Sequence, residues 1–447
     1  MTDPALPGAA RVVVIGGGII GCSVAYHLAH LGCEVLLLER DRLTSGTTWH
    51  AAGLIVTFGS TSETSTELRK YSRDLYTRLP AETGQETGFR PCGFIEVAAD
   101  ADRLEEYRRV AAFNRLMGID VHELGPREVG ELFPLARVDD ILAGFYVKED
   151  GRANPVDVTM ALTKGARLKG ARLIEGVAVT GVRTKGGAVV GVETTHGSVQ
   201  CETVVNCAGM WARELGARTL GANGGLLTSG VNMPLQAAEH YYLITGPIDI
   251  TAHEAAAGNS RPLRDWPVLE DPASYGYYRE EGGGLMIGLF EPEAAAWKVE
   301  GVPKDFSFGE IEPDWERMTP FLEKALARVP AAQAAGIKKF FCGPESFTPD
   351  LAPIVGPAPE LKNYFVAAGL NSIGILTGGG IGRLLAHWIV TGDPGADVTG
   401  IHIDRLHRYQ GNPEYRRTRT VESVPANILA KKTKVFGIFI RDSCIIH

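Results

Sequence analysis

Arg11-Val12-Val13-Val14-Ile15-Gly16-Gly17-Gly18-Ile19-Ile20-Gly21 is the stretch on which the fold turns. Val12 to Ile15 form a β-branched apolar run, too short for a helix and suited to a strand buried on both faces. Gly16, Gly18 and Gly21 follow in G-x-G-x-x-G spacing. The first permits a tight turn, the second lets backbone approach a pyrophosphate, and the third allows helix to pack on strand. Ile20 to Leu31 reads as a helix whose N-terminal amides face the phosphates. A second strand, Val35 to Leu38, ends in Glu39, 39 − 21 = 18 residues after Gly21. A carboxylate there accepts hydrogen bonds from both ribose hydroxyls and repels a 2′-phosphate. With 54 glycines in the chain, the ordered set carries more weight than the glycines alone. The motif does not by itself separate FAD from NAD.

The next loop, Ser45-Gly46-Thr47-Thr48-Trp49-His50-Ala51-Ala52-Gly53, places a histidine where such a fold passes a flavin ring. Read on residues alone, His50 is more readily a loop histidine that packs against the ring without a covalent bond.

At 447 residues the chain can support two domains with sizeable cores. Its formal charge is 45 − 53 = −8 and basic residues form no stripe, which argues against a nucleic-acid partner. Seven scattered cysteines show no C-x-x-C spacing, which argues against a disulfide framework and against a zinc site; no metal is expected. The best candidate membrane span, Tyr364 to Gly382, is interrupted by glycine and Asn371, so no membrane insertion is expected. Met1 to Ala10 resembles neither a signal peptide nor a transit peptide, and the chain reads as not secreted.

Helical spacing predicts a helix over Thr66 to Leu79, ended by Pro80, and another over Asp102 to Met117. Asn154-Pro155-Val156-Asp157 is a helix start with the run reaching about Leu168. Short strands are expected around Val177–Val182, Val189–Glu193 and Val199–Gln200, and again at Val204 and Val205 leading into Asn206-Cys207-Ala208-Gly209. Gly378 to Gly380 are expected to precede a helix, Ile381 to Val390, whose N-terminus faces the N1–C2=O edge of a reduced flavin; His387 within it reads as structural. The order suggests an α/β fold: a Rossmann-type dinucleotide-binding domain interrupted by an antiparallel-sheet substrate domain. The expected segments are 10–90, 150–235 and 341–395 for the first, 91–149 and 236–340 for the second, and 396–447 as an extension.

Leu43 to Gly53, Val205 to Gly209 and Cys342-Gly343-Pro344-Glu345-Ser346-Phe347-Thr348-Pro349-Asp350, with Asn371-Ser372 and the stretch from Gly378 to Ile389, resemble the sarcosine dehydrogenase and dimethylglycine dehydrogenase family, within the glycine oxidase and D-amino-acid oxidase fold group. The resemblance runs from about Arg11 to Arg419. It implies FAD, attached covalently through its 8α-methyl to His50. A neutral imidazole suits that attachment, which withdraws electron density and raises the flavin potential. Gly16, Gly18, Gly21, Glu39, Arg40, Ser45, Thr47, His50, Gly53, Gly209, Asn371, Gly374 and Gly378 are the cofactor-binding candidates.

Oxidising an N-methyl amine requires a neutral nitrogen, a C–H bond aimed at flavin N5 and exclusion of bulk water. By resemblance His240 and Tyr277 match a His–Tyr pair on the substrate side of the flavin; without it they read as a strand histidine and a core aromatic. Glu345 is a third catalytic candidate, equally readable as an ion-paired loop acid. The resemblance implies oxidative demethylation of sarcosine or dimethylglycine, with hydride passing to flavin N5 and the iminium hydrolysing to formaldehyde. Electrons would pass to an electron-transferring flavoprotein. The implied location is the mitochondrial matrix in a eukaryote and the cytoplasm in a bacterium. Two other readings are a direct oxidase and a catalytically silent relative like the regulatory subunit of pyruvate dehydrogenase phosphatase; the intact Trp49-His50-Ala51-Ala52-Gly53 favours the enzyme.

Three departures stand out. Leu54 to Ser60 holds no arginine where monomeric sarcosine oxidases carry one, leaving the carboxylate anchor unassigned. Val424 to His447 does not resemble the start of the folate-binding domain common in the family, and suggests a truncated or spliced product. Leu220 to Gly230 reads as an insertion.

Overall fold

A computed structural model describes residues 6–220, 230–251 and 262–423. The apolar tail after Val424 and most of the Leu220–Gly230 insertion lie outside the described residues.

Strand Ala9–Ile15 lies between two parallel neighbours, Val35–Leu38 and Gly197–Asn206. Its side chains alternate between two cores: Val12 and Val14 enter one, Val13 and Ile15 the other. Both faces are therefore buried, as the unbroken apolar run requires. Ile15 is in register with Leu38 and with Asn206, and Asn206 with Val366 of the parallel strand Tyr364–Ala368. Four strands thus end at one edge, and the loops that follow them converge there.

Helices Ile19–His30, Glu63–Thr83, Pro155–Leu168 and Gly374–Thr391 pack together over one face of this nine-stranded sheet. Asn154 caps its helix as expected, accepting from the amides of Val156 and Asp157 at 3.0 and 3.2 Å. Pro80 does not end its helix, which runs on to Thr83 and closes on Gly84 in the left-handed region (φ 64°). Proline removes the amide that would bond the Tyr76 carbonyl, and the Thr87 hydroxyl donates to that carbonyl at 3.0 Å instead. Val199–Gln200 and Val204–Val205 are one strand, Gly197–Asn206, rather than two.

The glycine run departs furthest from expectation. The helix begins at Gly374, so Gly378 to Gly380 sit inside it. A Cβ at Gly380 would lie 2.5 Å from Leu68 Cα, and one at Gly382 only 2.1 Å from Ser23 Oγ. Close helix contact, rather than a break, is what these glycines provide.

The second sheet also has nine strands; in order its main path runs Ala296–Trp297, Gln236–Thr245, Gly284–Leu289, Gly276–Glu281, Val268–Asp271, Phe94–Ala98, Ala143–Val147 and Val121–Leu124. It is antiparallel except for the parallel contact between Val268–Asp271 and Phe94–Ala98. Strand Ile337–Phe347 pairs with Gln236–Thr245 over ten register pairs, so it belongs to this sheet. The chain rejoins the first sheet at Ile354–Pro357, later than the expected return near Phe341. One face of the second sheet is apolar and carries Tyr241, Tyr278 and Ile287 against helix Trp315–Arg328. The opposite face carries Tyr242, Tyr277 and Met286 and packs on Trp49, Ala52 and Leu54.

Candidate active site

A cavity of about 740 Å³ opens where the loops converge. The cradle glycines and Glu39 line one end, and Glu345, Asn371 and Gly374 the other. Gly16 needs its glycine twice: φ is +109°, and a Cβ would stand 2.4 Å from the Cys207 carbonyl oxygen. At Gly21 a Cβ would meet the Gly16 carbonyl oxygen at 1.9 Å. The helix that follows, Ile19–His30, has no acid in its first turn, and its Ile19 amide donates to Thr48 Oγ1 at 3.1 Å.

Glu39 is buried on the cavity wall, and burial raises its pKa. Its Oε2 accepts from the Gly17 amide at 2.6 Å and its Oε1 from the Asp41 amide at 3.0 Å. Each oxygen keeps a lone pair for a hydroxyl. Arg40 lies over the Trp211 ring at 3.5 Å and donates to the Phe306 carbonyl at 3.0 Å. Ser45 and Thr47 also line the cavity, Thr47 Oγ1 donating to the Pro344 carbonyl at 3.3 Å. Asn206 shapes the turn to Gly209: its Nδ2 donates to the Ala212 carbonyl and its Oδ1 accepts from the Ala208 amide. A glycine-lined wall with a buried acid at its end fits the adenosine and pyrophosphate of FAD.

At the far end Glu345 is on a strand, not a loop, and accepts a short hydrogen bond from Ser372 Oγ. Asn371, at φ 49°, accepts from the Thr348 amide at 2.8 Å and donates to the Gly369 carbonyl at 2.8 Å. Gly374 opens the helix with no side-chain cap and no acid in the first turn, so its partial positive charge is uncompensated at the cavity. Gly378 does not reach the cavity; a Cβ there would touch Ile19 Cγ1 at 3.1 Å, inside the helix packing. Gly53 is not on the wall either, and its φ of +72° lets it lie against the Ala153 carbonyl. His387 is exposed on the far side of the helix.

His50 ends a short turn of helix whose Thr48 lines the cavity, as does the following Ala51. Burial lowers its pKa to about 4; Glu345 opposes the shift and His240 adds to it. The imidazole is neutral, and its Nε2 is buried without a hydrogen-bond partner. Phe341 lies 5.2 Å from it, ring to ring, and Trp49 stands edge-on to Phe341 at 5.6 Å.

His240 and Tyr277 point from the same face of the second sheet, on strands separated by Gly284–Leu289. They do not hydrogen bond to each other: Phe290 stands between them, 4.9 Å from His240 and 5.7 Å from Tyr277. Tyr277 leans over Gly288, where a Cβ would be 1.9 Å from its ring, and its buried hydroxyl has no partner. Burial holds its pKa above the usual tyrosine range.

Thr48, Ser372 and two acids were not anticipated. Glu270 and Glu96 are register partners on neighbouring strands, and Glu270 is also paired with Tyr277. Both acids are half-buried. Burial, then the charge of Glu96, pushes Glu270 up to about 8. Thr48 was legible as a hydroxyl within the quoted loop; nothing local marks the acids. Among the described residues no His, Cys, Asp and Glu cluster could hold a metal, and no helix is long and apolar enough to cross a membrane.

The family model for FAD dependent oxidoreductases matches residues 11–388. The chain is 40% identical over 430 residues to the mitochondrial sarcosine dehydrogenase of Homo sapiens, covering 94% of this chain and 44% of that protein. It is 40% identical over 423 residues to the 4-methylaminobutanoate oxidase (formaldehyde-forming) of Paenarthrobacter nicotinovorans, covering 94% and 48%. The chain spans less than half the length of either relative. The solved L-proline dehydrogenase from P. horikoshii has the same fold, with a TM-score of 0.73 at 23% identity over 93% of this chain and 99% of that one.

Proposed function

The chain belongs to the FAD-dependent oxidoreductase family, and we propose that it oxidises the N-methyl group of a methylated glycine, sarcosine or dimethylglycine. The observation that carries this reading is His50, neutral and with a partnerless buried Nε2 between the cofactor cavity and the aromatic sheet face. FAD, when bound, supplies hydride acceptance at N5. Gly16 and Gly18 would approach its pyrophosphate, with Gly21 packing the helix behind them, Glu39 would take the ribose hydroxyls, and His50 Nε2 would hold the 8α-methyl carbon. The uncapped helix at Gly374 would stabilise negative charge on the reduced ring.

His240 and Tyr277 orient the amine from the sheet face that packs toward His50. Tyr277 keeps its proton and donates only a hydrogen bond, while His240 takes up the proton that frees the nitrogen lone pair. Trp49, Phe341 and Tyr242 exclude water from the C–H bond being broken. The iminium product hydrolyses to formaldehyde and the demethylated amine. The mitochondrial matrix in a eukaryote follows the mitochondrial relatives, and this reading takes an electron-transferring flavoprotein as the acceptor.

The test is acid precipitation of the purified holoprotein beside His50→Ala, followed by anaerobic addition of sarcosine or dimethylglycine to the native enzyme. Yellow, fluorescent wild-type pellet with a colourless variant pellet is expected, as is bleaching by one of the two amines. Flavin confined to the supernatant defeats the covalent link; a flavin that neither amine bleaches defeats the substrate. A protein with no flavin supports the silent relative.

A further inference from the structure

Buried polar atoms without partners are rare in folded proteins. Here several gather around one sheet face: Trp49 Nε1, His50 Nε2, Tyr277 Oη, Arg152 Nε and Arg279 Nε. Arg279 stands two residues beyond Tyr277 on the same strand and face, about 7 Å along the strand. Its cross-strand neighbour is Met286, a member of the cluster packed on Trp49, Ala52 and Leu54. The residue is only 7% exposed. Its Nη1 donates to Glu281 Oε2 at 2.8 Å and to the Glu280 carbonyl at 3.0 Å. The Nε–Nη2 edge is left free.

That edge is a planar pair of donors matched to a carboxylate. Arg69 and Arg152 also keep an Nε without a partner, but their guanidinium groups face acids. Arg69 lies among Asp150, Glu96 and Glu270 and donates to the Phe58 carbonyl at 2.9 Å. Arg152 is paired with Glu280 and bonded to the Arg264 carbonyl.

We propose that Arg279 anchors the substrate's carboxylate through its Nε–Nη2 edge, beside the Tyr277 hydroxyl. It supplies the cation that Leu54 to Ser60 lacks. The inference rests on the reading of the substrate as an N-methyl amino acid. It makes the site selective for a carboxylate close to the amine, since a carboxylate-free amine leaves the guanidinium edge desolvated and unpaired.

The experiment compares holoenzyme with Arg279→Met and Arg279→Lys. Acetate, which cannot be oxidised, is titrated while the bound flavin's visible spectrum is followed; KM and kcat are then measured for sarcosine and dimethylglycine. Arg279→Met is expected to weaken acetate binding and raise KM by about a hundredfold or more, with Arg279→Lys between. The larger effect falls on KM rather than kcat, because the carboxylate is held alike in ground and transition states. Unchanged acetate affinity and KM in a flavin-retaining Arg279→Met overturn the anchor. If that variant loses its flavin, Arg279→Lys decides by the same titration, and unchanged affinity there overturns it. Arg279-dependent acetate binding without oxidation of either amine leaves the anchor standing and defeats the substrate reading. Oxidation with an Arg279-independent KM does the reverse.

Discussion

Tyr76 sets its hydroxyl between two backbone groups of the glycine-rich helix, donating to the Ile375 carbonyl at 2.7 Å and accepting from the Gly379 amide at 3.2 Å. Ser72, one turn earlier on the same helix, accepts from the Gly380 amide at 3.0 Å. Two side chains of Glu63–Thr83 thus take part in the backbone bonding of Gly374–Thr391. Tyr76→Phe, which keeps the ring and removes the bridge, is expected to cost about 1–3 kcal/mol in denaturant unfolding. An unchanged midpoint would show that the hydroxyl contributes nothing net.

Gly380→Ala tests the contact from the other side. The new methyl would lie 2.5 Å from the Leu68 Cα and carbonyl oxygen, both backbone atoms that cannot rotate away. The two helices must separate, at a cost of about 1–3 kcal/mol. A variant as stable as wild type by thermal unfolding would contradict the packing.

Thr48 joins the His50 loop to the cradle through its bond from the Ile19 amide. Thr48→Val preserves the shape and leaves that amide unpaired. It is expected to cost about 1 kcal/mol of stability. The rate at which urea releases non-covalent FAD from a His50→Ala background should rise with it; an unaltered rate argues that the bond does not support the cradle.

Glu270 gives a pH signature. Its folded pKa is raised to about 8 from an ordinary 4.5, first by burial and then by Glu96. The folded state therefore holds a proton that the unfolded chain has released, and the resulting stability is complete below pH 4.5 and lost as pH rises through about 8. In Glu270→Gln that decline should be smaller. Wild type and variant melting temperatures that run parallel from pH 5 to 9 would show that Glu270 titrates normally.

The cradle was legible because its determinants lie within a few residues of each other: Val12 to Ile15, the spaced glycines and Glu39 need no distant partner to be read. Asn154 was legible for the same reason. Pro80 and Gly378 to Gly380 were misread because glycine and proline act as local breakers only when tertiary partners do not compensate. Thr87 makes good what Pro80 removes, and Leu68 and Ser72 make use of the missing side chains. Phe341 was taken for the return to the first sheet because a strand does not announce which sheet it joins. Arg279 carries no local signal at all. Its free edge follows from where Met286, Tyr277 and Glu281 bring it.

Strand Ile337–Phe347 is zipped to Gln236–Thr245 along its length, yet its last residues are tied to the opposite half of the molecule. Glu345 takes the Ser372 hydroxyl, and Asn371 takes the Thr348 amide just beyond the strand end. This strand of the second sheet is bonded at its end to loops of the first half, so one half cannot swing off the other without breaking these bonds. Any change in the distance between the Gly374 helix and the aromatic face must therefore break the Ser372–Glu345 and Asn371–Thr348 bonds.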